Sequence, residues 1–208
     1  MTDAEAAVLR EVWVEAEIAP RGVLDDALLD ALVAVPRHWF ADPTAGHAAY
    51  TAAACAAADG DRLADAYAVA WMGQLAGVGA GRRVLDLGSG SGYTAAVWAQ
   101  TGAQVFAVDC RAAAVAGATR RWASLGLDVR ARCADARDGW PEEAPFDAVI
   151  AGFALPAVAA AWLAQRAPQG RVVAPIGRPG RQALVVWGPD GACTEWGAVD
   201  FAMGALTA

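Results

Sequence analysis

The chain has 208 residues, 57% of them hydrophobic, with a mean hydropathy of +0.30, enough to bury one sizeable core in a single domain, 1–208. Its formal net charge of −7 argues against nucleic acid or an anionic membrane surface as a partner, because both are met through a broad basic footprint. No apolar run reaches the roughly 18 residues of a membrane-crossing helix, and the acids of "MTDAEAAVLREVWVEAEIAP" stand where a secretory leader carries basic residues, so a cytoplasmic protein is expected.

In chain order, the spacing of Val8, Val12 and Ala16, then of Leu24, Leu28, Leu29 and Leu32, predicts helices over 4–17 and 23–35, the second stopped by Pro36. The stretch 40–62 is rich in Ala, Asp, Gly and Pro and lacks periodicity, which predicts an irregular connection of a length that often carries function. A helix is expected over 64–75, closed by Gly77 and Gly79. Beyond it the pattern alternates: strand "RVLDL", helix 93–100, strand "QVFAVD", helix 112–125, strands "DVRARCAD" and "FDAVIAG", helix 156–167, strand "RVVAPIG". Such alternation predicts an α/β fold, doubly wound about a mostly parallel sheet with helices on both faces. The tail "QALVVWGPDGACTEWGAVDFA" reads as two more strands about a Pro-Asp-Gly turn, in either order within the sheet.

Open parallel sheets bind ligands at the carboxyl ends of their strands, and "RVLDLGSGSGYTAAVWA" places Gly88, Gly90 and Gly92 at such an end. A pyrophosphate-binding turn in the frame of Gly88 requires a glycine at 93, where this chain has Tyr93, which argues against a dinucleotide oxidoreductase. Asp86 precedes the turn and suits a cationic ligand. Asp109 ends the next strand, where a carboxylate accepts ribose hydroxyls, and Asp135 ends the third, within reach of an adenine amino group. Ribose, adenine and a cationic amino-acid tail together describe S-adenosylmethionine. Cys55, Cys110, Cys133 and Cys193 form no Cys-x-x-Cys pair and only His38 and His47 accompany them, so reduced thiols are expected and no metal.

The runs "VPRHWF", "AYAVAWM", "VLDLGSGSGYTAA", "DGWPEEAPFDAVIAGFALPAVAAAWLAQRAPQGRVVAPIG" and "RQALVVW" resemble the protein-L-isoaspartate O-methyltransferases, from about residue 32 to the end. The resemblance implies a Rossmann-like, seven-stranded methyltransferase sheet over 79–208, preceded at 1–78 by an N-terminal helical extension and a substrate loop. It implies a cofactor site of Asp86, Gly88, Ser89, Gly90, Gly92, Asp109, Cys110, Asp135 and Ala136, and a substrate side of Arg62, Ala64 and Asp65 facing Ala151 and Gly152.

The loop departs from the family's Thr-Ile-Ser-Gln-Pro: the serine falls on Ala64, the glutamine on Asp65 and the proline on Ala66. Ala64 cannot donate a hydrogen bond, and Asp65 brings a like charge toward an incoming carboxylate, at a cost on the order of 1 kcal/mol. Asp65 is either a general base for a hydroxyl or amine acceptor or a carboxylate steadying the first turn of its helix. His38 is a second candidate base or a helix-end residue; Trp39 and Trp71 wall a pocket or join the core; Arg62 recruits an anion or stays solvated. The rewritten loop favours a divergent O-methyltransferase acting on a carboxylate or hydroxyl of a peptide or small natural product. A true isoaspartate repair enzyme and a non-catalytic S-adenosylmethionine-binding module are the alternatives.

Overall fold

The computed structural model describes residues 2–51 and 55–204. Helix α1 (Asp3–Trp13) opens with a capping box in which Thr2 and Glu5 satisfy each other's backbone N–H groups. The helical path continues through a wider π turn at Val14–Ile18 and stops at Gly22, whose φ is +98°, so the first predicted helix is longer and less regular than its spacing implied. Helix α2 (Asp26–Ala34) begins on the Asp25 side chain, which accepts the Leu28 N–H, and ends ahead of Pro36.

The described residues of the stretch 40–62 are irregular as expected, apart from a 3-10 turn at Gly46–Tyr50 and a short ladder of β1 (Cys55–Ala56) with β2 (Arg62–Leu63). Helix α3 (Ala66–Ala76) starts two residues later than predicted because Asp65 is its N-cap, and Gly77 at φ +71° closes it. Strands β3 (Arg83–Leu87), β4 (Gln104–Asp109), β5 (Val129–Cys133) and β6 (Phe146–Ala151), with helices α4 (Tyr93–Gln100) and α5 (Ala112–Ser124), follow the predicted alternation. The expected helix 156–167 shrinks to α6 (Ala160–Ala164). Ala154 and Leu155 are held extended by bridges to Met203 and Ile176, and Pro156 follows them, so the backbone there is committed elsewhere.

Strand β7 (Arg166–Arg178) completes the parallel set, and the Pro-Asp-Gly turn joins β8 (Arg181–Trp187) to β9 (Cys193–Val199). The seven-stranded sheet runs β5-β4-β3-β6-β7-β8-β9, parallel through β7 and antiparallel at its last two pairings. The pattern left the order of the tail strands open; they lie in sequence order as a meander.

Alternate residues of each strand enter opposite layers. Val84, Val105, Ala107, Ala148, Ile150 and Val173 join the N-terminal helices, α3, α4 and α5 in one core. Leu85, Leu87, Phe106, Val108, Val149 and Ala151 join Trp162 of α6 in the other. Each buried leucine or valine contributes about 1.5–3 kcal/mol relative to exposure, so this two-sided burial fixes the register that sets the strand ends side by side.

Candidate active site

Two cavities meet at the carboxyl ends of the strands. A cleft of about 300 Å³ runs over the ends of β3, β4, β5 and β6, and a hollow of about 430 Å³ lies between α3 and the tail of the sheet. Arg62, Ala64, Gly152 and Ala202 line both, so these four residues mark the boundary where the cavities communicate.

Of the nine residues expected around a cofactor, Gly88, Ser89, Gly90, Asp109, Cys110, Asp135 and Ala136 line the cleft. Gly88 and Gly90 have φ of +77° and +53°, and a Cβ on Gly88 would lie 2.5 Å from Phe153 Cδ1, so only glycine fits that floor. Gly92 does not line the cleft. A Cβ there would lie 2.7 Å from both Ala118 Cβ and Trp122 Cζ2; its service is to let α5 pack close, with the Trp122 indole N–H donating to its carbonyl at 2.8 Å.

Asp86 also lies off the cleft surface, 1% exposed. Its Oδ2 has no hydrogen-bond partner, and burial, with the like charge of Asp109 second, pushes its pKa up to about 8. Asp109 and Asp135 each hold an arginine two residues downstream. Asp109 Oδ2 accepts the Gly90 N–H at 2.8 Å, while its Oδ1 accepts the Arg111 N–H at 2.9 Å and Arg111 Nε at 3.3 Å. Asp135 accepts the Arg137 N–H at 2.9 Å and Nε at 3.0 Å. Arg111 also reaches Asp59 at 2.9 Å and Asp61 at 3.2 Å, tying the β1–β2 turn to the cleft. The repeated Asp-x-Arg of "DCR" and "DAR" was the sequence signal for these arginines, and the reading of the acids alone missed it.

Of the residues expected on a substrate side, Asp65 lines the hollow, yet its carboxylate accepts the Tyr67 N–H at 2.9 Å and caps α3. Burial raises its pKa against that hydrogen bond. Ala64 is held through its carbonyl, which accepts Arg37 Nη2 at 2.6 Å, while Arg37 Nε donates to Ala49 at 2.8 Å. Arg37 is fully buried, with its guanidinium 4.7 Å from the Tyr93 ring centroid, a role that nothing local in "VPRHWF" signals. Arg62 is half exposed and 3.9 Å from Asp200. Gly152 donates to the Leu87 carbonyl at 2.8 Å, and a Cβ on it would meet the Gly88 carbonyl at 3.2 Å.

Ala151 is a correction: it is fully buried and lines neither cavity, because its parity turns it into the core beneath β6. Trp71 lines the hollow, whereas His38 and Trp39 line neither cavity and converge on Asp3, with His38 Nδ1 2.6 Å from the Tyr50 hydroxyl. Among the described residues no cluster of three His, Cys, Asp or Glu side chains could hold a metal ion, the four cysteines are unpaired, and no helix is long and apolar enough to cross a membrane.

The family model for protein-L-isoaspartate(D-aspartate) O-methyltransferase matches residues 10–193. The chain belongs to this family. It is 41% identical over 181 residues to the protein-L-isoaspartate O-methyltransferase of Methylorubrum extorquens (strain PA1), covering 87% of this chain and 79% of that one. The same-named protein of Stenotrophomonas maltophilia (strain R551-3) is 37% identical over 164 residues, 79% and 73% of the two chains. A solved protein-L-isoaspartate O-methyltransferase superposes with a TM-score of 0.83 at 23% identity, over 94% of this chain and 66% of that chain. A Plasmodium falciparum structure described as a beta-aspartate methyltransferase in complex with S-adenosyl-L-homocysteine gives 0.81 at 17% identity, over 94% and 98%. The chain is thus an O-methyltransferase with the family's Rossmann-like sheet.

Proposed function

We propose that this protein uses S-adenosylmethionine to esterify a free peptide carboxylate, that of isoaspartate, as the first step of its repair. The observation that carries this reading is the boundary between the two cavities, where Arg62 is the ionisable side chain among the four residues that line both. Asp65 is engaged as a helix cap and His38 is held elsewhere. A hydroxyl or amine acceptor must lose a proton to react. A carboxylate with an ordinary pKa near 4 arrives ionised, and Arg62 brings it a compensating charge. The names of the relatives point the same way, so repair displaces natural-product tailoring as the leading reading.

The cleft suits the cofactor on two observations. Asp86 Oδ2, two residues before Gly88 and behind the cleft surface, is a buried polar atom without a partner, which would gain one by giving up its proton and pairing with a cationic amino group, and Gly88 leaves no side chain between the backbone and a ligand. Gly88, Ser89 and Gly90 would hold the amino-acid end, Asp109 and Cys110 the ribose edge, and Asp135 and Ala136 the adenine side. When bound, the cofactor supplies a methyl group on a positively charged sulfur for in-line displacement, a reaction governed mainly by placement. Ala64, anchored by Arg37, and Gly152, anchored on Leu87, set the width of the opening through which the carboxylate oxygen approaches. A cytoplasmic setting, where unpaired cysteines stay reduced, belongs to the same proposal.

The missing hydroxyl at Ala64 is the one observation favouring a different acceptor. Incubation with S-adenosylmethionine and three peptides, identical but for isoaspartate, aspartate or serine at one position, separates the readings by mass spectrometry. Methyl ester on the isoaspartyl peptide alone is expected; methylation of the serine peptide, or of none, overturns repair.

A further inference from the structure

The hollow on the acceptor side is larger than a carboxylate needs. Only its inner end, at Arg62, Ala64, Gly152 and Ala202, borders the cofactor cleft, while the whole measures about 430 Å³, within the range of pockets that enclose a small organic molecule. Its outer wall is aromatic. The Tyr67 and Trp71 rings stack with centroids 6.1 Å apart and planes 13° from parallel, Trp196, which does not itself line the hollow, meets Trp71 edge-on at 5.9 Å, and Phe201 and Leu184 add to the lining. The Arg21 guanidinium lies 3.6 Å from the Tyr67 centroid, so the stack is braced before any ligand arrives.

The charges around this wall cancel. Arg21, Arg62, Asp65 and Asp200 line the hollow, two charges of each sign, so a charged flank of either sign meets a like charge there and gains no net attraction. Resting on the isoaspartyl reading above, we propose that this protein selects isoaspartyl sites flanked by a bulky apolar or aromatic residue, whose side chain fills the hollow against Tyr67 and Trp71. Burial of such a side chain against rigid aromatic walls supplies affinity that a glycine flank cannot, and it places the neighbouring carboxylate at the Arg62 boundary.

The test is a series of isoaspartyl peptides differing only in the residue on one side, then on the other: Phe, Leu, Gly or Glu. Binding is measured calorimetrically without cofactor, and kcat/KM with S-adenosylmethionine. On one of the two sides, Phe and Leu are expected to exceed Gly by about tenfold or more, with Glu below Gly, and Trp71→Ala is expected to bring the Phe-to-Gly ratio within about threefold. Equal binding and equal kcat/KM across the series overturns the selectivity while leaving isoaspartate methylation standing. Methylation of none of the peptides overturns the reading beneath it. Should Trp71→Ala lose its folded circular dichroism, the wild-type series decides alone.

Discussion

Arg111 Nη2 lies 2.9 Å from Asp59 Oδ2, and through that contact one arginine fastens the turn between β1 and β2 to the glycine loop of the cleft at the strand ends. The same guanidinium touches Asp61 and Asp109, so it offsets three carboxylates that would otherwise repel one another. Arg111→Gln is expected to weaken S-adenosylhomocysteine binding about tenfold and to expose the 57–61 turn to proteolysis, and Arg111→Lys to rescue little of it because three acids are met by one planar fork. Titration calorimetry and limited proteolysis check this; unchanged affinity with an intact turn would show the clasp to be ornamental.

Asp86 makes stability depend on pH. Its unfolded carboxyl titrates near 3.9 and its folded one at about 8, so between those values the native state holds the extra proton. Stability from this group is full below about pH 4, falls as pH rises by up to about 1.4 kcal/mol per unit, and is lost as pH passes about 8. Asp86→Asn is expected to flatten that part of the Tm-against-pH curve of the ligand-free protein and to weaken S-adenosylhomocysteine binding. Parallel curves for the two proteins would contradict the buried, protonated carboxyl.

Arg37 joins the stretch after α2 to the acceptor boundary through the carbonyls of Ala49 and Ala64. Arg37→Ala strands both, at about 3 kcal/mol in all, which for a chain of this size lowers Tm by about 6–12 °C. Differential scanning calorimetry checks it, and a loss below about 2 °C would mean that water replaces the guanidinium.

Ala64→Ser restores a donor at the meeting point of the cavities on a backbone already fixed by Arg37. Its hydroxyl is expected to raise kcat for an isoaspartyl peptide by about tenfold, a fraction of what a well-placed donor to a developing charge supplies, with KM changed less. Steady-state methylation kinetics decide; no change in kcat would mean that Arg62 already meets the carboxylate fully.

Gly92→Ala separates packing from ligand contact. With φ at +89° and a Cβ 2.7 Å from Trp122, it is expected to cost about 2–4 kcal/mol of stability in chemical denaturation. A stable variant would show that α5 can retreat.

The period-2 and helical spacings made β3, α4, β4, α5 and β6 legible to within a residue or two, because each buries a continuous face whose apolar rhythm is local. The same rhythm misled at 156–167, where the chain enters from long-range bridges of Ala154 and Leu155 to Met203 and Ile176 and leaves into β7 at Arg166, which confines the helix to Ala160–Ala164. Glycines at 88 and 90 announced the cleft through their spacing. Gly92 and Ala151 sat inside the same motifs and serve the core instead, a distinction made by what packs on them.

By itself the sequence determined the alternating α/β architecture, the strand ends that carry Asp86, Asp109 and Asp135, and the kinship with the isoaspartate methyltransferases, since these follow from periodicity and contiguous motifs. Only the tertiary structure decided that Asp65 caps α3, that Arg37 and Arg111 are the fasteners, and that the tail strands lie as a meander. It also decided that Arg62, Ala64, Gly152 and Ala202 form one opening. Those four stand up to 140 positions apart along the chain, and what brings them together is burial on both faces of a sheet, a property that no local stretch possesses.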